Sequence, residues 1–162
     1  MSTLIPNENS WIGFSTTMPA AADLVPAAAE VAAATELTDF LISLTASSQG
    51  NTVPTPKLSS LFETSIPGTS TAQFTAEFYR DSVKANDTAW NMLERNVSGV
   101  FYISRFGGTG AGKLPVATDT VEVWPVRISS RSASAMSSNT AQTFTCTASI
   151  PQEPNEDAVI AA

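Results

Sequence analysis

The sequence predicts a mainly β fold, an antiparallel β-sandwich or barrel with one packed α-helix and a long extended arm and loop. Short stretches in which apolar and polar residues alternate recur along the chain, as in half-buried strands. One clear helical stripe of apolar residues occurs, near residue 90, so the predicted strands mostly follow one another without a helix between them. This order argues against a parallel βαβ sheet and favours antiparallel strands.

Alternation predicts five strands, over residues 37–45, 71–79, 100–106, 119–128 and 141–150. In the first strand, Phe40, Ile42 and Leu44 are expected to share one face. The second strand is expected to place four residues on one face: Ala72, Phe74, Ala76 and Phe78. The last strand sets Phe144, Cys146, Ala148 and Ile150 against a row of threonine and serine. Pro125 predicts a sheet edge or a bulge in the fourth strand, because proline lacks the N–H that a central ladder uses.

One helix is predicted over residues 88–95, with Asp87 placed to cap its first turn. Its apolar residues fall at helical spacing and are expected to pack on a sheet: Ala89, Trp90, Leu93 and Val97. Gly99 is expected to end this helix. Residues 27–33 favour at most one short helical turn, because their alanines have good propensity but form a weak apolar face.

The predicted organisation is one domain with two appendages. Residues 1–36 are read as an N-terminal arm, 37–150 as the β-sandwich, and 151–162 as a mobile C-terminal tail. Residues 46–70 contain two glycines and three prolines without a clean period. They are predicted to be a long loop within the sandwich domain, and this loop is expected to touch a neighbouring subunit.

The composition favours a subunit that assembles with copies of itself. Only 14% of the 162 residues are charged, so few ions must be desolvated when surface is buried against another copy. The net charge is −7, and the eight Lys and Arg residues do not cluster in the sequence, which argues against a protein that grips nucleic acid. The sequence contains no stretch of about 18 apolar residues, so no membrane span is predicted.

The residue types argue against an enzyme. The chain has no histidine and one cysteine, Cys146, which excludes histidine-based triads and zinc sites built on Cys and His. Cys146 lies in an alternating strand pattern and is expected to be a small core residue. No catalytic, cofactor-binding or metal-ligating residue is predicted.

One segment matches a phosphate-binding loop in part. Residues Gly107 to Lys113 fit the pattern G-x-x-x-x-G-K, in which backbone N–H groups surround the phosphates and the lysine meets their charge. The next residue is Leu114 where Ser or Thr should hold magnesium, and Pro115 stands where a helix should continue. We therefore interpret this segment as a hairpin loop. Asp119 with Glu122, and Glu77 with Asp81, are interpreted as solvated strand and turn residues.

The order of segments resembles a major tail tube protein of siphophages, in particular those of actinobacterial hosts. The similarity covers roughly residues 20–160 and is carried by five segments: DLVPAAAEVAAATELTDFLISLT, IPGTSTAQFTAEFYRD, DTAWNMLERN, GVFYISRFGG, and the closing VEVWPVRISSRSASAMSSNTAQTFTCTASIPQEPNEDAVIA.

The resemblance implies a structural virion protein that forms homohexameric rings stacked into the tail tube. It implies that the inner sheets of six subunits form a continuous lumen, around a tape measure protein, through which the genome passes without specific binding. Tail terminator and distal tail proteins are further implied partners, and the virion, assembled in the host cytoplasm, is the implied location. Long loops and arms bridge rings in the family, so residues 1–36 and 46–70 are the matching candidates. Acidic side chains facing the lumen would favour sliding of DNA, because they repel phosphates.

An alternative hypothesis is a β-sandwich binding module of a virion or cell surface, adhesive or carbohydrate-binding. Such a module needs an exposed aromatic platform, and the available rings are Trp11, Trp90 and Trp124. We expect Trp90 in the core and the other two at contacts. Four arginines are expected either to pair with another subunit or to be solvated: Arg80, Arg105, Arg127 and Arg131.

Overall fold

The computed structural model describes residues 9–56 and 64–162, and strands make up most of its regular structure. The strands are β1 (Trp11–Ser15), β2 (Thr35–Glu36), β3 (Leu41–Thr55), β4 (Thr64–Tyr79), β5 (Ser98–Ser104), β6 (Thr120–Ala133), β7 (Thr143–Ser149) and β8 (Asn155–Val159). The helices are α1 (Ala28–Ala32) and α2 (Thr88–Met92), with 3-10 turns at Thr38–Phe40 and Ala111–Lys113. The prediction of a mainly β fold with a packed helix is confirmed.

All strands join one antiparallel sheet in the order β2-β1-β5-β6-β7-β4-β3, and β8 pairs with β6. Because β6 is long, it changes neighbours along its length: β8 pairs with it up to Val123, and β7 pairs with it from Arg127. Pro125 lies in the gap between these two partners, opposite Val100 of β5. The predicted edge strand or bulge at Pro125 is therefore not observed: β6 is an interior strand, and Pro125 lies in a short stretch where only β5 pairs with it. Among residues 9–56 and 64–162, the terminal strands β2 and β3 each pair on one side, so the sheet formed by these residues does not close into a barrel.

The sheet folds over itself into two layers. We call β3, β4, β7 and residues 127–133 of β6 the front half, and β2, β1, β5, β8 and residues 120–126 of β6 the back half. Phe74 in the front half stacks on Phe101 in the back half with ring centroids 4.6 Å apart, although two strands separate β4 from β5 in the sheet order. Their contact belongs to the main core, which has the layered character of a sandwich.

A second core covers the other face of the back half. Trp11, Val100 and Tyr102 turn to this side and contact Val31 of α1 and Ile160 near the C terminus. Buried on both faces, β5 has an apolar sequence in which six of seven residues are inaccessible to solvent. The front half, by contrast, has one covered face.

The prediction of an extended N-terminal arm is wrong for residues 9–36, the part of residues 1–36 that the structure describes. β1 lies inside the sheet between β2 and β5, and Trp11 and Phe14 are buried. The short helical turn predicted over 27–33 is confirmed as α1, whose Val31 is fully buried. Glu30 tightens the start of α1 by accepting hydrogen bonds from the N–H groups of Ala20 and Ala27.

The predicted loop over residues 46–70 is also wrong in its described parts. Residues 46–55 and 64–70 lie in β3 and β4, which pair from Leu41 with Phe78 to Thr55 with Thr64. Residues 57–63, which complete the predicted loop, lie outside the described residues. The predicted mobile tail is corrected as well, because β8 pairs with β6 and buries Ala158.

Three local predictions fail: the face of Ile42, the end of the helix and the role of Gly99. A bulge between Leu41 and Ser43 shifts the register of β3, so Ile42 is exposed whereas Leu44 packs against the core. The predicted helix 88–95 ends at Met92, before the positive φ of Asn96. Gly99 lies within β5, where a Cβ atom would come within 2.4 Å of the Ser15 carbonyl oxygen of β1. Its role is close strand packing, not helix termination.

Candidate functional site

The front half presents a face rich in hydroxyl groups to solvent. Residues that pair directly across antiparallel strands share a face, so the register defines complete rows across all four strands. One row is Thr45, Thr75, Thr147 and Ser130, and the next is Ser43, Glu77, Thr145 and Ser132. We call the surface formed by these two rows the hydroxyl face.

Few charges stand on or beside the hydroxyl face. Glu77 lies within it and accepts a hydrogen bond of 3.0 Å from the Thr143 hydroxyl group. Arg127 is exposed at the start of the next row and lies opposite Ser149 of β7 in the strand register. The alternation of threonine with apolar residues predicted this face, because the same period that buries Phe144 and Cys146 turns the threonines outward.

The front half has two open edges. The outer edge of β3 has no strand partner among the described residues along Leu41–Thr55. At the other side, β5 pairs with β6 only as far as Arg127, which leaves residues 129–133 of β6 without a strand on that side in the described chain. Unpaired edges invite pairing with another strand. Because β6, β7, β4 and β3 alternate in direction, the two open edges run antiparallel to each other.

A two-stranded ribbon projects beyond the sheet. β7 pairs with β4 from Phe74 onward, so residues 64–71 of β4 pair only with residues 49–55 of β3. We call these two segments the distal ribbon; at about 3.4 Å per residue it extends roughly 20 Å. Its side chains are almost all exposed, including Val53 and its cross-strand partner Ile66 at 49% and 54%. A two-stranded ribbon of this kind is marginally stable in water by itself, which favours burial against another molecule.

A groove of about 1040 Å³ lies between the root of the distal ribbon and the connection from β7 to β8. Four carboxylate residues line it, and neither lysine nor arginine does: Asp23, Glu153, Glu156 and Asp157. The Ser48 hydroxyl group donates a hydrogen bond to Glu156 across the groove. The resulting negative field opposes the approach of anions.

The segment that matches a phosphate-binding loop in part uses its own donors internally. The N–H groups of Gly108 and Gly110 donate to carbonyl groups within the loop, at 2.7 and 3.0 Å. The Asp119 carboxylate accepts hydrogen bonds from the N–H groups of Val116 and Thr109, the latter at 2.8 Å. These two hydrogen bonds, of which that from Val116 has the larger effect, lower the pKa of Asp119. Strand β6 follows the loop instead of a helix, so the loop does not form a phosphate cradle.

The other charged candidates are engaged within the chain. Glu122 pairs with Arg105 and accepts a hydrogen bond from the Trp124 indole, while Asp81 accepts one from the Val83 N–H at 2.7 Å. Arg80 pairs with the buried Asp87 at 2.5 Å, so Asp87 anchors α2 through this ion pair and makes no side-chain cap hydrogen bond.

Trp11 and Trp124, expected at contacts, are buried, whereas Trp90, expected in the core, is partly buried and packs against it. Trp11 and Trp124 are each 1% exposed and belong to the two cores, so neither can serve in an aromatic platform. Trp90 is only partly buried and lies between two guanidinium groups, with Arg80 3.8 Å and Arg131 3.9 Å from its ring centroid. Both faces of the ring are therefore occupied, which removes it as a sugar-stacking surface.

Cys146 is buried in the main core, as predicted, and burial raises the pKa of its thiol to about 11. A thiol with that pKa is a poor nucleophile at neutral pH. Among residues 9–56 and 64–162, no group of three or more Cys, Asp or Glu side chains is arranged to hold a metal ion. Within the same ranges, no helix is long and apolar enough to cross a membrane.

Comparison with known proteins gives a family match and several similar solved structures, two of which follow. A chain from the tail of an empty GTA particle, refined with helical and C6 symmetry, has a TM-score of 0.53 at 14% identity, covering 74% of this chain and 83% of its own length. A chain from the six-fold symmetrised baseplate of the anti-feeding prophage has a TM-score of 0.56 at 10% identity, covering 96% of both chains. No curated protein matches significantly.

At these identities the two structures establish a shared fold. The family model described as phage tail tube protein matches residues 2–162, nearly the whole chain. The two-layered β fold, with its exposed polar face and open edges, is consistent with a structural subunit. The chain belongs to the phage tail tube protein family and has a structural role in the tail tube.

Proposed function

We propose that this chain forms homohexameric rings that stack into the tail tube of a siphophage, the conduit through which the genome is ejected. The observation that carries the proposal is the pair of open, antiparallel edges on the front half, β3 and residues 129–133 of β6. The tail structure with a similar fold has C6 symmetry, which supports six as the number of copies.

Edge pairing accounts for ring closure. The β3 edge of one copy meets the β6 edge of the next, which is a head-to-tail contact between two different surfaces and closes into a ring. The direction of the strands allows antiparallel pairing at every junction, so four strands from each of six copies give a continuous barrel of 24. Barrels of about 16–18 strands already leave an aqueous channel, so this one is wide enough for a lumen.

The distal ribbon is the candidate contact between stacked rings. It extends beyond the strands of its own sheet and exposes Val53 and Ile66 together on one face. Burying these side chains on the next ring would supply the packing that a two-stranded ribbon lacks in the isolated subunit. The described part of the N-terminal segment supports the fold instead, because β1 lies inside the sheet.

The remaining roles rest on the family. A tape measure protein inside the tube, tail terminator and distal tail proteins at its ends, and assembly in the host cytoplasm are part of the proposal. Genomic DNA passes through without specific binding, which agrees with the net charge of −7 and the absence of lysine among the two rows of the hydroxyl face.

Disulfide trapping tests the edge contact. Opposed residues across an antiparallel pair have Cα atoms about 4.5–5.5 Å apart, which suits a disulfide. Cysteine would replace Ser43, Thr45 or Ser47 on β3, each combined with Ser130→Cys on β6. Oxidation of the correctly registered double variant should give a ladder of linked oligomers that ends at six.

The single variants are the matched controls, and they should not cross-link, because the proposed contact joins different edges. Cross-linked dimers from Thr45→Cys alone would indicate a symmetric β3–β3 contact and contradict the proposal. Negative-stain microscopy of the unmodified protein separates the alternative binding module: tubes or rings about ten nanometres across, the scale of a small multi-subunit ring, support the tube subunit. A persistent monomer that binds glycans would support the alternative.

A further inference from the structure

We infer that the hydroxyl face lines the lumen and gives the passing phosphate polymer a weakly interacting surface with few charges. This inference rests on the proposed ring. The hydroxyl face consists of the two cross-strand rows of the front half, in which Thr75 and Thr147 lie on the central strands β4 and β7. The hypothesis of an acidic lining is thereby replaced, for these strands, by a lining of hydroxyl groups with Glu77 as its carboxylate.

The layering of the subunit decides which face points inward. When the front half forms the barrel wall, its main-core face is covered by the back half, and the back half is covered by α1 and the C-terminal residues. Strands lie about 4.8 Å apart, so a barrel of 24 has a diameter of roughly 37 Å, rising to about 50 Å with the usual tilt.

The outer layers do not fit inside that barrel together with a passage. Two packed layers occupy about 20 Å, because sheets stack about 10 Å apart and a helix adds a similar thickness. If these layers lay inside the barrel on both sides, they would leave a passage at most about 10 Å across. That is less than the roughly 12 Å width of the major groove of DNA alone. The hydroxyl face therefore points into the lumen, and α1 lies toward the outside.

A hydroxyl lining limits adhesion for a physical reason. Phosphate binding to proteins derives much of its strength from the release of counterions by Lys and Arg, and these two rows contain neither residue. A Ser or Thr hydroxyl group exchanges one hydrogen bond with water for another, so the net gain per contact is small. A polymer moving past repeated rings then meets few strong contacts on these two rows, beside which Arg127 is exposed.

Maleimide labelling of assembled tubes tests the assignment. The chain suits the method, because its own Cys146 is fully buried. Thr147→Cys places a thiol on the hydroxyl face, and Ala32→Cys places one on the exposed side of α1. In tubes, a small maleimide should label both variants, whereas a maleimide carrying a large polymer should label Ala32→Cys and lose its labelling of Thr147→Cys.

Unassembled subunits supply the control, because there both reagents should label both positions. Intact tubes in which the large reagent also labels Thr147→Cys would place this face outside and overturn the inference. Tubes in which neither reagent labels it would place the face in an interface, with the same consequence. Should Thr147→Cys not assemble, Thr75→Cys on the neighbouring strand reports the same surface. Failure of the unmodified protein to form tubes would instead count against the proposed function.

Discussion

At the scale of single residues, the environment of Trp90 links α2 to the sheet. Its ring meets Phe144 edge-on at 5.1 Å, and both ring faces are covered by the guanidinium groups of Arg80 and Arg131. Arg131 also donates a hydrogen bond to the Trp90 carbonyl group, and Arg80 pairs with Asp87 at the start of the helix. One side chain therefore ties a five-residue helix, too short to persist alone, to β6, to β7 and to the residue that follows β4.

We expect Trp90→Ala to destabilise the subunit by about 2–3 kcal/mol, below the roughly 3–5 kcal/mol typical of a fully buried aromatic residue, because Trp90 is partly exposed. Urea denaturation followed by the fluorescence of Trp11 and Trp124 would measure the change. Trp90→Phe is the matched variant and should lose less, since a ring remains for Phe144 and the two arginines.

Val83→Ala, at an exposed position in the preceding turn, should change the free energy of unfolding by no more than about 0.5 kcal/mol. An equally small loss for Trp90→Ala would show that α2 is held by Ala89 and Leu93 alone, both of which are fully buried.

The alternation of apolar and polar residues predicts which side chains are in the core well where one face of a strand is buried. Phe74, Phe78, Phe144 and Cys146 occupy the core positions that alternation assigns to them. The same reasoning accounts for Trp90 only in part, because the ring packs against the core but also carries the guanidinium groups of Arg80 and Arg131, which lie outside its own helix. Hydrophobicity alone assigns it to the core and cannot register that its ring serves as a surface for arginine.

At the scale of elements, the distal ribbon is the part of the fold that is not stabilised by the subunit itself. Ile66→Asp should leave the unfolding free energy of the subunit nearly unchanged, since its side chain is already 54% exposed. Tube formation should be strongly reduced, because a carboxylate would have to be desolvated against the next ring.

The experiment compares tube yield by sedimentation with subunit stability by denaturation. Val83→Asp is the control: it introduces the same charge at a similarly exposed position, 52%, away from the ribbon. If both aspartate variants assemble as well as the unmodified protein, the ribbon does not form the contact between rings.

The ribbon also shows why some elements escape prediction. Residues 49–55 and 64–71 have no face on a core, so no alternation marks them, and their prolines and glycines are typical of loops. β1 is missed for the opposite reason, because burial on both faces replaces alternation with the continuous apolar run from Trp11 to Phe14. The acidic β8 carries its strand signal in one buried residue, Ala158.

At the scale of the whole molecule, charge is distributed by layer. The hydroxyl face has one carboxylate in its two rows, while acidic residues gather around the groove beside the β7–β8 connection. A net charge of −7 therefore does not require a strongly negative lumen. Low adhesion to DNA can rest on the absence of cations in these two rows, with Arg127 as the exposed cation beside them, and that difference is open to experiment.

Placing one lysine per subunit in the wall should convert the lumen into a surface that holds DNA. Tubes of the Thr147→Lys variant, assembled in the presence of short duplex DNA, should retain it and protect it from nuclease, whereas unmodified tubes should not. Each ring would then present a circle of cations, and retention should fall steeply with salt as counterions compete for the phosphates. Ala32→Lys adds the same charge on the exposed side of α1 and should bind DNA without protecting it. Protection by Ala32→Lys tubes but not by Thr147→Lys tubes would reverse the radial order of the layers.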